Sequence, residues 1–214
     1  MKIIVLIITF LLTLIMNLLS QGDKGYIQSA YDAIQSKNYD EAVEYYTKAI
    51  TEQPKYAPSY YGRGLAKSYL EEYQSAIEDF TKAIELSPNY HEAYYSRALS
   101  RIKLGDFSAA EEDLKKAINI AQNVAKYYYA LANTYYYLER DDEALNYYTM
   151  AIDKDPNLGL AYYGRAVIHK LNHRPDAALQ DFQKYIELNG NKDGLASEVE
   201  RLMNEIRQEK LETN

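Results

Sequence analysis

Residues 57–90 read APSYYGRGLAKSYLEEYQSAIEDFTKAIELSPNY, and the chain's architecture follows from this stretch. Its Tyr60-Tyr61 pair returns as Tyr94-Tyr95, Tyr128-Tyr129 and Tyr162-Tyr163, in steps of 34 residues, with Tyr26-Ile27 one step earlier. Ala76 belongs to the series Ala42, Ala76, Ala110, Ala144 and Ala178. Four places on stand Tyr46, Phe80, Leu114, Tyr148 and Phe182. Ala83-Ile84 recurs as Ala49-Ile50, Ala117-Ile118 and Ala151-Ile152, with Tyr185-Ile186 in the fifth unit. Pro54, Pro88 and Pro156 close their units, and Gln122 and Gly190 take the equivalent place. Self-similarity at one fixed period marks a repeat protein.

Within the quoted unit two apolar stripes lie at helical spacing. One runs through Tyr60, Gly64 and Tyr69-Leu70, the other through Ala76, Ile77, Phe80 and Ile84. Small residues at Gly64 and Ala76 allow the two helices to approach closely. The turn between them falls at Glu71-Glu72-Tyr73, and at Gly105-Asp106-Phe107 one unit on, where Gly suits a helix C-terminus. Pro stops the second helix. One hairpin cannot bury both stripes, so neighbouring hairpins must stack. Beyond Asn189-Gly190-Asn191, Leu195, Val199, Leu202 and Ile206 recur at four, three and four residues. They predict an amphipathic helix over 193–211 that caps the last hairpin.

The pattern resembles the tetratricopeptide repeat: an aromatic, then Leu-Gly, a Tyr, Ala with Phe four residues on, then Pro. Five gapless units cover residues 23–192, as 23–56, 57–90, 91–124, 125–158 and 159–192. The family's Leu is Ser29, Arg63, Arg97 and Arg165, and stays Leu only at Leu131. Its Gly survives only as Gly64, and its Tyr only as Tyr135. The resemblance implies an all-α, right-handed superhelical solenoid of antiparallel helix hairpins whose first helices line the concave surface. It also implies a protein–protein interaction role.

Ahead of the repeats, Lys2 precedes an apolar run from Ile3 to Leu19 broken only by Thr9, Thr13 and Asn17. Two readings stand. Residues 1–20 are a signal peptide cleaved near Ser20, or residues 3–19 are a short membrane anchor. The first predicts export to a periplasmic or extracellular space, the second tethering to a membrane.

Lys and Arg total 24 against 31 Asp and Glu, a net charge of −7, which argues against nucleic acid as partner. The absence of Cys excludes disulfides, thiolate metal sites and a cysteine nucleophile. Tyr numbers 24 against 4 Phe, so the aromatic content is almost wholly amphipathic. No phosphate loop, zinc motif or Ser-His-Asp order occurs, so neither an enzyme nor a cofactor is expected. His169 and His173 lie four apart, but His173 falls in a predicted turn and no third ligand is fixed, so no metal is expected.

Arg63, Arg97 and Arg165 are each followed sixteen residues later by Asp79, Asp113 and Asp181. The two units lacking the Arg carry Tyr45 and Tyr147 there. Arg and Asp come and go together, which predicts three ion pairs, each inside its own hairpin, rather than a basic row for acidic ligands. Tyr61, Tyr95, Tyr129 and Tyr163 form a ladder on the first helices. Leu65, Leu99, Asn133 and Val167 lie one turn along. Together they are the predicted groove for a partner segment, with packing between first helices as the competing role of the rings. Co-chaperones of the family hold acidic tails with Lys and Asn, then Asn, then Lys and Arg. Here those slots hold Ile27 and Tyr31 or Tyr61 and Leu65, then Gly62 or Ser96, then Glu92 and Ser96 or Lys126 and Ala130. That clamp is absent.

The expected function is a non-enzymatic scaffold in an envelope or secretory-pathway assembly. The rivals are a self-associating spacer and, more remotely, a small-ligand or metal carrier.

Overall fold

A computed structural model describes residues 25–190 and 194–212. The predicted leader lies outside them, as does the start of the capping segment. Among the described residues there are eleven helices and no strand. The first, α1, is described over residues 25–35. Then follow α2 (Tyr39–Glu52), α3 (Ala57–Tyr69), α4 (Tyr73–Leu86) and α5 (His91–Lys103). They are succeeded by α6 (Phe107–Ile120), α7 (Ala125–Tyr137), α8 (Asp141–Lys154), α9 (Gly159–Leu171), α10 (Pro175–Asn189) and α11 (Ala196–Glu212). No described helix is long and apolar enough to cross a membrane. The described residues fall into two compact units that divide after Leu104. In each unit every helix packs on its sequence neighbour, the packing expected of stacked hairpins.

Each turn inside a hairpin uses one residue in the left-handed region: Lys37, Glu71, Gly105, Glu139 and His173, with φ between 52° and 79°. Only one of the five is Gly, so the other four carry the steric cost of a side chain there. His173 is thus accounted for as an exposed turn residue.

The helices approach closely because alanines and glycines face one another. Ala30, Ala42, Ala66, Ala76, Ala110, Ala132, Ala144, Ala166 and Ala178 are fully buried. At Gly62 an added Cβ would stand 2.6 Å from the Tyr46 hydroxyl, and at Gly164 one would stand 2.6 Å from that of Tyr148. Where the second helix carries Phe80 or Leu114 instead, the residue sixteen places on is Ser96 or Ala130. Tyrosine in the second helix therefore goes with glycine in the next first helix. Gly164→Ala should cost about 1–3 kcal/mol by overpacking against a buried ring. Gly164→Ser combined with Tyr148→Phe, which copies the Phe80 and Ser96 residues, should recover most of that. Thermal unfolding of the three chains checks both effects.

Two expectations about the core need correction. Tyr69 is not part of the apolar stripe: it is 56% exposed and stacks on Tyr39, with ring centres 4.7 Å apart. The buried face of α11 is Val199, Met203 and Ile206, while Leu195 and Leu202 are only partly buried. At 100° per residue Leu202 and Met203 lie about 50° to either side of the line through Val199 and Ile206, and the last hairpin covers the Met203 side more fully. These three residues pack with Ala166, Ala178, Phe182 and Tyr185, so α11 closes the end of the last hairpin.

Candidate functional site

Arg63 holds Asp79 with two parallel bonds, Nε to Oδ2 at 2.9 Å and Nη2 to Oδ1 at 2.6 Å. Arg165 holds Asp181 in the same way, at 2.7 and 2.8 Å. The third predicted pair, Arg97 with Asp113, has its members in different units. Its described geometry is Arg97 Nη1 donating to Thr81 Oγ1 at 2.9 Å. The same nitrogen of Arg63 donates to Thr47 Oγ1 at 3.2 Å, and that of Arg165 to Thr149 Oγ1 at 3.0 Å. Each Arg thus reaches a Thr sixteen residues earlier, on the preceding hairpin, and lies over Tyr60, Tyr94 or Tyr162 at 5.7–5.8 Å. The bond to Asp181 holds the Arg165 pKa above its usual value. Asp79 has a second cation, Lys67, at 2.7 Å, whereas Asp181 has, among the described residues, only His169 besides its Arg, at 4.0 Å and charged only when protonated. His169 Nδ1 is buried without a hydrogen-bond partner among the described residues. Burial first, with Arg165 and Arg174 adding to it and Asp181 opposing it, lowers the His169 pKa.

Around Leu131 the connection is built differently. Glu111 Oε1 accepts from Lys115 Nζ at 2.6 Å and from the Tyr135 hydroxyl at 3.1 Å, while Oε2 accepts from Arg140 Nη1 at 3.1 Å. These bonds outweigh partial burial and lower the Glu111 pKa. The Arg140 guanidinium covers the Tyr135 ring at 4.5 Å. The three Arg are therefore not an open basic row.

The tyrosine ladder is half-buried. Tyr61 packs on Phe80 and Tyr90, Tyr129 on Tyr148, and Tyr163 on Phe182 and Tyr185, all with centres 4.9–6.0 Å apart. Phe80, Tyr148, Phe182 and Tyr185 belong to second helices, while Tyr90 stands at the start of α5. Tyr95 is likewise half-buried. Burial raises the pKa of Tyr61, with nearby Ser96 opposing it.

Each unit carries a groove between consecutive first helices. In the first unit a groove of about 290 Å³ lies between α3 and α5, lined by Leu65, Ser68, Tyr69, Tyr73, Ser96, Leu99, Ser100 and Lys103. In the second unit one of about 270 Å³ lies between α7 and α9, lined by Tyr129, Asn133, Tyr136, Tyr137, Tyr148, Tyr163, Gly164 and Val167. Leu65, Leu99, Tyr129, Asn133, Tyr163 and Val167 are among the predicted groove residues, while Tyr61 and Tyr95 are not in the lining. Sequence reasoning missed Tyr136 and Tyr137, three and four residues after Asn133. One more helical turn along the same face reaches them.

The second groove is organised around Asn133. The buried Tyr148 hydroxyl donates to Asn133 Oδ1, which fixes the amide's orientation. Burial raises the Tyr148 pKa, so the phenol stays protonated and remains a donor. Tyr129, Tyr136, Tyr137 and Tyr163 all lie close enough to Tyr148 to add to that shift. The phenols converge on one place. No group of three or more potential metal ligands occurs among the described residues.

These features agree with the comparisons. Tetratricopeptide repeat descriptions match residues 24–56, 57–90, 91–124 and 125–158. Curated proteins give no match. Solved structures with a similar fold include a MamA protein at 22% identity, covering 81% of this chain and 94% of that one, with a TM-score of 0.71. Another is MamA 41-end from Desulfovibrio magneticus RS-1, at 23% identity, 80% and 97% coverage, and a TM-score of 0.73. A third is YrrB, described as a TPR protein with an unusual peptide-binding site, at 23% identity, 82% and 90% coverage, and a TM-score of 0.67. With its 34-residue hairpins and these matches across most of its length, the chain belongs to the tetratricopeptide repeat family, whose fold generally serves protein–protein interaction.

Proposed function

We propose that this protein is a non-enzymatic scaffold that holds an extended segment of a partner protein in the groove between α7 and α9. The observation that carries this reading is the convergence of phenols on an oriented Asn133 amide in one groove. Flat rings bind at low entropic cost, and a fixed amide supplies donors for a main-chain carbonyl. The peptide-binding site named for YrrB is consistent with it. Catalysis would need an activated nucleophile or a tuned acid–base pair, and the groove lining has neither. The apolar run at residues 3–19 supports delivery to an envelope or secretory-pathway assembly, as an exported or membrane-tethered protein. The N-terminal residue of the protein isolated from its host tests that placement. A start near Gln21 supports export, and an intact Met1 supports tethering.

Binding is tested with Tyr136→Ser and Tyr137→Lys together, which copy Ser68 and Lys103 from the first groove. Both tyrosines are exposed, at 37% and 55%, so helicity should hold, and loss of the Tyr137 stack on Phe107, 4.9 Å between ring centres, should lower stability by only about 1 kcal/mol. Affinity for the partner should fall by at least about tenfold, as for loss of two aromatic contacts. Unchanged affinity would remove the groove as the binding site.

A further inference from the structure

We infer that the segment accepted between α7 and α9 is proline-rich and flanked by basic residues. This rests on the reading of that groove as a peptide site. Tyr148 occupies the Asn133 carbonyl oxygen, which leaves the two N–H donors of that amide for a ligand. The Tyr129, Tyr136 and Tyr137 hydroxyls likewise have no hydrogen-bond partner among the described residues, and each can donate. The ligand is therefore rich in acceptors. Polyproline II offers main-chain carbonyls with no internal bonds, and proline brings no N–H that needs a partner. A helical partner would already have used its carbonyls internally. A β-strand partner would need a free backbone edge, and both walls of this groove are helices.

The apolar side of the match is the tyrosine rings, against which pyrrolidine rings pack. Tyr129 to Tyr137 spans about 12 Å of helix, the length of about four residues of polyproline II. Charge sets the flanks. No ionisable side chain other than the tyrosines lines the groove, so an acidic ligand would find no counter-ion there. Around it the charge is negative. Residues 105–214 hold 13 Lys and Arg against 19 Asp and Glu. Glu139, Asp141, Asp142 and Glu143 follow directly on Tyr137, and Glu198 Oε1 accepts from the Tyr163 hydroxyl at 3.4 Å. Arg140, the cation within that acidic run, is already tied to Glu111 and Glu143. Basic flanks on the ligand complement these carboxylates.

The test is fluorescence anisotropy on the purified full chain with three labelled peptides. One has eight prolines between Arg pairs, one replaces the prolines by Ala, and one replaces the Arg by Glu. The Pro–Arg peptide should bind about 30-fold more tightly than the Ala peptide and about tenfold more tightly than the Glu peptide. Its advantage should vanish in the Tyr136→Ser, Tyr137→Lys chain. Equal binding of the Pro and Ala peptides would overturn the proline assignment while leaving the groove as a peptide site. Equal binding of the Arg and Glu peptides would overturn the basic flanks. Pro–Arg binding that survives the double change lies elsewhere on the chain and would overturn the inference. So would no binding of any peptide at millimolar concentration while the host partner still needs Tyr136 and Tyr137. Loss of that host requirement as well would overturn the groove reading beneath it.

Discussion

Arg165→Leu should lower the stability of the unit that contains it by about 3 kcal/mol, toward the lower end of the cost of breaking a buried ion pair. The pair is largely dry, with the side chains 20% and 7% exposed. Removing the Arg strands a carboxylate whose remaining basic neighbour among the described residues is His169, 4.0 Å away and charged only when protonated. The same change at Arg63 should cost less, because Lys67 stays at 2.7 Å from Asp79. Arg165→Leu with Asp181→Tyr copies Leu131 and Tyr147 and should recover much of the loss, since a matched apolar pair often replaces a buried ion pair at little cost.

The His169 neighbour gives this prediction a pH signature. In the native chain its folded pKa is lowered, so it contributes stability above the unfolded value of about 6.5 that is lost as the pH falls through and below it. Arg165→Leu removes one charge that lowers this pKa and leaves the Asp181 attraction opposed only by burial and Arg174. The variant's folded His169 then binds its proton more readily than the native one. The deficit of Arg165→Leu should therefore be smaller at pH 5.5 than at pH 8, and this difference should disappear in a His169→Gln background. Denaturant titrations of the four chains at both pH values measure it. A deficit independent of pH would mean that His169 does not sense the vacated carboxylate.

The second large effect is expected at the cap. Ile206→Asp should cost about 4 kcal/mol, combining the loss of a fully buried side chain with the burial of an unpaired charge. Ile206 is 1% exposed and shares a cluster with Phe182, Tyr185, Val199 and Met203. Because an undocked α11 escapes the charge penalty, the loss should appear as early detachment of that helix, which native-state hydrogen exchange resolves. Exchange of residues 196–212 should rise far more than that of α7. A uniform rise along the second unit would show instead that the cap and the hairpins open together.

Much of this architecture is legible in the chain alone. The 34-residue return of Tyr-Tyr, Ala and Phe or Tyr is a one-dimensional signal that any stacked hairpin must carry, because the same contacts repeat. The partners of Arg63 and Arg165 can be read from residues that come and go together, since a buried charge cannot stand alone. The Thr partners carry the same signal: Thr47, Thr81 and Thr149 precede the three Arg by sixteen residues, while Lys115 precedes Leu131. The groove was harder to read. Tyr61 and Tyr129 repeat perfectly, yet Tyr61 is spent on packing and Tyr129 is only half exposed to the groove. Regular recurrence marks what the fold needs in every unit. Tyr136 breaks the pattern, standing where other units have Ser68 and Ile102, whereas Tyr137 repeats Tyr69 and, as Tyr69 does on Tyr39, stacks on the first residue of a second helix, Phe107, at 4.9 Å while staying 55% exposed. Met203 escaped notice because Leu202, one residue earlier, is the more conventional apolar choice.

The central claim is that a partner segment lies along Tyr136 and Tyr137. It is tested most directly by placing a photo-crosslinking amino acid at position 137 and, as a control, at Lys184 on the far helix of the last hairpin, and irradiating the host cells. The account predicts one discrete protein joined at position 137, none at 184, and loss of the adduct when Tyr136→Ser is added. Equal crosslinking at both positions, a product that is a second copy of this chain, or an adduct indifferent to Tyr136 would contradict it.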